Sequence, residues 1–134
     1  MPIRPSASQP RTQLRIPGPS ARPAGSYWRT LEAEAPAHTA RAVFVDEPAF
    51  AAAVEEDDAA ALRRAFARLR SILPNSRLIL TADPGAFARE ALPLAVGLPV
   101  DALYLDTEAR PHLLVEALAL APAGLELLVP EAAR

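Results

Sequence analysis

The chain has 134 residues, 51% of them apolar, a formal net charge of −2 and no cysteine. That length suits one domain, and the missing thiols exclude disulfides, thiolate zinc sites and a cysteine nucleophile. No apolar run approaches the roughly 20 residues that span a bilayer, and the N-terminus lacks a signal-peptide core, so the expectation is a soluble, cytoplasmic protein without membrane contact.

Charge is unevenly placed. All 14 basic residues are arginine, and Arg4, Arg11, Arg15, Arg22 and Arg29 fall within residues 1–30, where there is no acid. The other nine share the rest of the chain with all 16 acids. A basic tail before an acidic domain suits nucleic acid or an acidic partner. Five charges among prolines form no stripe on a regular element, however, so a solvated tail is expected and nucleic acid is not. Pro2, Pro5, Pro10, Pro17, Pro19 and Pro23 also exclude the amphipathic helix of a transit peptide.

In chain order, residues 1–25 show no periodicity. "SYWRTLEAEA" (26–35) suits a short helix capped by Ser26 and stopped by Pro36. Residues 1–40 therefore read as a disordered or irregular basic tail with one short helix, and 41–134 as the folded domain. "RAVFVD" (41–46) is a short β-rich run, and "PAFAAAV" (48–54) starts a helix with Pro48 in its first turn. Asp57 or Asp58 caps the next helix, whose Leu62, Phe66, Leu69 and Leu73 recur on one face. A strand over 77–83, a helix over 84–96 disturbed at Pro93, a strand in Ala102–Asp106, a helix over 108–121 and a strand over 125–132 follow. Short, almost wholly apolar strands alternating with helices define an α/β class with a parallel sheet of about four strands and right-handed crossovers.

Each strand ends in, or just before, an acid: Asp46-Glu47, Asp83, Asp106 with Glu108, and Glu131. In a parallel sheet these ends share one edge, the edge where α/β folds build their sites. Acids before helices also cap free N–H groups and complement the helix dipole. Asp83 and Asp106 suit that role well. Asp46-Glu47 stays open between the two readings, since one carboxylate is enough for a cap and two neighbours repel without a positive partner. His38 and His112 are isolated and read as surface or core rather than as ligands.

"VFVDEPAF" (43–50) resembles the "IDEPAL" strand of the cobalamin-independent methionine synthases. The likeness continues in order: "LILTADPG" (78–85) is similar to that family's "LLLTTYFG", and "GLPVDALYLD" (97–106) to its "ALPVDGLHLD". It covers roughly residues 41–132, and Gly18-Pro19 is similar to a "GPxT" strand. The resemblance implies part of a TIM-like (β/α) barrel, the N-terminal one of that family, with folate lying between it and a second, catalytic barrel. There a methyl group passes to homocysteine on zinc held by His, two Cys and Glu. This chain lacks cysteine, so no zinc or other cofactor and no independent methyl transfer are expected. The family's aromatic "TYF" is here Thr81-Ala82-Asp83, which removes a stacking partner.

What the resemblance carries over is a ligand rim of Asp46, Glu47, Thr81, Asp83 and Asp106. Three functions follow. One is a barrel fragment of the methyltransferase family that closes with a second copy or a second barrel half, because Leu78, Ile79, Leu103, Leu105, Leu127 and Val129 would be sticky if left bare. Another is a binding module whose acidic rim, with Arg41 or Arg89, takes a folate-like or amino-acid-like molecule. The last is carboxylate acid–base catalysis, with Glu47 moving the proton and Asp46 orienting it.

Overall fold

A computed structural model describes residues 3–6 and 14–130. Six parallel strands lie in the order β1-β6-β5-β4-β3-β2: β1 Ile3–Ser6, β2 Leu14–Pro17, β3 Ala42–Asp46, β4 Arg77–Thr81, β5 Ala102–Tyr104 and β6 Glu126–Pro130. The α/β class and parallel sheet stand as expected, with six strands rather than about four. From β2 to β6 each strand pairs beside its predecessor, and β1 pairs with β6 at the far edge.

Within residues 1–40 the structure departs from the expected tail. Residues 14–17 form β2, in register with Val43–Asp46, and α1 runs Gly25–His38. Ala24, not Ser26, precedes the helix, and Pro36 lies inside it. Proline there forfeits one backbone bond and crowds the carbonyl four residues earlier, a cost the rest of the helix has to offset. The end is held by the Thr39 hydroxyl, which donates to the Ala35 carbonyl at 3.3 Å, and by burial of Trp28, Leu31 and His38. The rest of the expected tail, residues 1, 2 and 7–13, lies outside the described residues.

Other boundaries shift for local reasons. Pro48–Ala51 is a single 3-10 turn, not the start of a helix through Val54. α2 spans Glu56–Ile72 with Glu55 as its cap position. Asp57 and Asp58 sit in its first turn, where the dipole favours them without a capping bond. Between β4 and β5 the expected long helix is a buried loop, a 3-10 turn at Arg89–Ala91 and the one-turn α3, Leu92–Ala95. Pro84-Gly85 delays the start, and Pro93 fits only a first turn. α4 spans Leu113–Leu120.

Strand alternation divides the core. Ile16, Val43, Val45, Leu78, Leu80, Leu103 and Leu127 pack with Trp28, Leu31, Leu62, Phe66, Leu69, Leu92, Leu113 and Ala117 of the helices. The opposite face holds a second cluster of Phe44, Ile79, Ala102 and Leu128, with Tyr104 packed against it and no helix residue among its members. Helices on one side and strand side chains filling the other is the arrangement of a barrel wall and its interior. The apolar strand residues flagged as sticky are covered within the chain: Leu78, Ile79, Leu103, Leu105 and Leu127 are each at most 2% exposed, and Val129 is half-buried.

Because Trp28 is a core residue and not part of a tail, Trp28→Ala is expected to cost roughly 3 kcal/mol. Urea unfolding followed by far-UV circular dichroism measures it. An unchanged midpoint would return α1 to the status of a tail.

Candidate functional site

Period-two geometry sends Asp46 and Glu47 to opposite sides of the sheet end. Asp46 follows Phe44 onto the helix-free face. Its carboxylate accepts two bonds from Arg15, Nε to Oδ2 at 2.9 Å and Nη2 to Oδ1 at 2.8 Å. Thr81 Oγ1 donates to Oδ1 at 2.7 Å. Arg15 also reaches Asp83 Oδ2 at 3.4 Å, and its guanidinium carbon lies 4.8 Å from the Phe44 ring centroid. The Asp83 N–H in turn donates to Thr81 Oγ1 at 3.0 Å. Hydrogen bonding to Asp46, the largest effect, raises the Arg15 pKa from its already high value. The positive partner needed beside the two acids thus comes from the basic N-terminal segment.

Glu47 turns to the helix side and is 3% exposed. Its Oε1 accepts from the Ser20 N–H at 2.7 Å and its Oε2 from the Ala49 N–H at 3.3 Å. Burial pushes its carboxyl pKa up, and these two N–H groups pull it back only in part. Gly18 makes the approach feasible: a Cβ there would lie 2.6 Å from Glu47 Oε1. Ser20 adopts a left-handed backbone, φ 61°, to aim its N–H. Tyr27, whose hydroxyl donates to the Pro17 carbonyl at 2.7 Å, is raised in pKa by burial first and by Glu47 second.

The fold therefore brings Asp46, Thr81 and Asp83 into one network around Arg15. Glu47 is adjacent but engaged with the backbone as a loop latch. β5 stops at Tyr104, short of the expected Asp106, which lies in the following loop and accepts from the Ala109 N–H at 3.1 Å, a turn bond. Of the suggested helper arginines, Arg41 precedes β3 at the opposite edge, and Arg89 pairs with Glu116 at 3.3 Å. Neither joins the cluster. Sequence reasoning misses Arg15 and Ser20, and takes Gly18 only as part of a strand-like Gly-Pro. The apolar-Arg-apolar rhythm of Leu14-Arg15-Ile16 followed by Gly-Pro was the available signal.

Over 85 residues the chain is 40% identical to the 5-methyltetrahydropteroyltriglutamate–homocysteine methyltransferase of Caulobacter vibrioides. The chain matches the cobalamin-independent methionine synthases in part. The aligned stretch is 63% of this chain and 11% of that relative, so the chain spans about a tenth of the relative's length. No protein-family profile matches. A zinc site of His, two Cys and Glu does not fit these residues: the chain has no cysteine. Among the described residues no group of three His, Asp or Glu could hold a metal. No helix among them is long and apolar enough to cross a membrane.

Two measurements probe the rim. An Arg15→Met, Asp46→Asn double-mutant cycle is expected to give a coupling of about 1 kcal/mol, the size left to a bidentate pair that water partly screens. A coupling of zero would make the pair incidental. The second concerns pH. Folded Glu47 holds its proton more tightly than unfolded Glu47, so its contribution is full below the ordinary pKa of 4.5 and is lost as pH rises through the raised value. Relative to Glu47→Gln, the wild type is expected to lose stability over that window in urea unfolding. Parallel pH profiles would contradict the assignment.

Proposed function

We propose that this chain is a methionine-synthase-like partial barrel that does not transfer methyl groups by itself. The observation that carries the reading is the 40% identity to a homocysteine methyltransferase in a chain without cysteine. The parallel sheet, sequential from β2 to β6 with helices on one face, supports it, since part of a barrel wall has that order. In this reading the chain completes its barrel with a second half, from another copy or from a partner chain. The rim of Asp46, Thr81, Asp83 and Asp106 then faces a folate-like or amino-acid-like molecule, and Glu47 holds the loop beside it. No cofactor is assigned to this chain, and the cytoplasm is its expected compartment.

Homocysteine methylation from a methyl-folate polyglutamate, assayed with added zinc, is expected to stay at the protein-free rate. Turnover above that rate would sink the reading. Light scattering is expected to show a dimer, or a monomer that takes up a partner chain when one is added.

A binding module is the second reading, favoured by the Arg15-centred network. Asp83 is its most available acid, its side chain 59% exposed and touched by Arg15 only at 3.4 Å. A folate-like or amino-acid-like ligand should raise the melting temperature. Asp83→Asn should abolish that rise while leaving the unliganded melt unchanged. No rise with either ligand class would dismiss the module.

A further inference from the structure

The end of the sheet opposite the rim holds a groove of about 450 Å3, within the range of small-molecule sites. Its lining includes Arg70, Asn75, Ser76, Arg77, Asp101 and Glu126. Arg77 opens β4, Asp101 immediately precedes β5 and Glu126 opens β6, so three neighbouring strands deliver charge to one place.

These groups divide into builders and groups with capacity to spare. Arg70 is a builder. It donates to the carbonyls of Pro99 at 3.0 Å, Leu73 at 3.2 Å and Ser76 at 2.8 Å, and to Asp101 Oδ2 at 2.6 Å. Asp101 Oδ2 also accepts from the Leu78 N–H at 2.8 Å, so that carboxylate is fixed in place. Its Oδ1 makes no hydrogen bond among the described residues, and its side chain is 45% exposed. Arg77 pairs with Glu126 through Nη2 alone, and its side chain is 40% exposed. The remaining guanidinium donors and the Asn75 amide have no partner among the described residues. Gly124 forms part of the wall, and the space where its Cβ would stand is empty.

Among the described residues the groove thus carries two cations and two carboxylates. A ligand with net charge of either sign gains at one end what it loses at the other. A dipolar ligand gains at both: a carboxylate against Arg77 and Asn75, an ammonium against Asp101 Oδ1. We propose that this groove binds a small zwitterion, the α-amino-acid head group, at the end of the sheet away from the rim.

The test is titration of the isotope-labelled full chain with glycine, the minimal zwitterion, followed by amide chemical shifts. Saturable shifts at Ser76, Arg77, Asp101 and Gly124 are expected. Acetate and methylamine, which each carry half the dipole, should bind at least about tenfold more weakly, or ~1.4 kcal/mol. Asn75→Ala lies in an exposed turn and removes only the amide. It is expected to weaken glycine binding about threefold, ~0.7 kcal/mol, without moving the thermal midpoint. Asp101→Asn keeps an oxygen for Arg70 and Leu78 and removes the charge, and should weaken binding further. Three results would overturn the proposal: no saturable shift at millimolar glycine, acetate binding as tightly as glycine, or unchanged affinity in both variants. Shifts confined to Asp46, Thr81 and Asp83 would also overturn it and would assign the zwitterion to the rim.

Discussion

Handedness sets most of this architecture. A parallel strand can return beside its predecessor only through a crossover, and the crossover is nearly always right-handed. When successive strands step in one direction, as β2 to β6 do, that rule puts every connecting helix on the same face. The consequences are visible residue by residue. Val43, Val45, Leu78 and Leu80 meet helices, while Phe44 and Ile79 cluster with Ala102, Tyr104 and Leu128 of the neighbouring strands. The helix-free face must then be filled from the strands themselves, which is how a barrel interior is built.

The same alternation explains why two adjacent acids share a strand end without conflict. Asp46 faces the interior, where Arg15 neutralises it and Thr81 donates to it. Glu47 faces the helix side and is answered by backbone N–H groups from two segments. Of the two readings open for this pair, capping is met by Glu47, whose side chain accepts from the Ala49 N–H. Glu47 is the cap and latch, and Asp46 belongs to a polar network open to the rim. A carboxylate held by backbone dipoles in a dry pocket differs chemically from one bridged to a guanidinium, so the two side chains are not interchangeable despite being neighbours.

Much of this was legible where burial is two-sided. "AVFV", "LILT" and "ALYL" are runs that few other environments accommodate, and their strand assignment followed from composition alone. β2 was not legible, because a four-residue edge strand with an arginine facing one way and a proline at its end has the composition of a linker. α1 was truncated at Pro36 because propensity counts the lost bond and cannot see Trp28 and Leu31 anchoring the helix. Within the rim, the acids were found from their positions at strand ends. Their counter-charge was not, since Arg15 joins them through the pairing of β2 with β3, a long-range register that no local pattern encodes.

Pro17 ends β2, which pairs only with β3 among the described strands. The Gly18 N–H donates inward to the Asp46 carbonyl at 2.7 Å, so by alternation the nitrogen at position 17 faces outward. Proline has no hydrogen there to offer. A strand arriving at this margin finds no N–H at position 17 and a carbonyl already bonded by the Tyr27 hydroxyl, so the gain from indiscriminate addition is reduced at the end nearest the rim. The residue that made this segment look like a linker thus also limits chain-on-chain stacking, and a margin of this kind suits one dedicated neighbour better than an open-ended series of them.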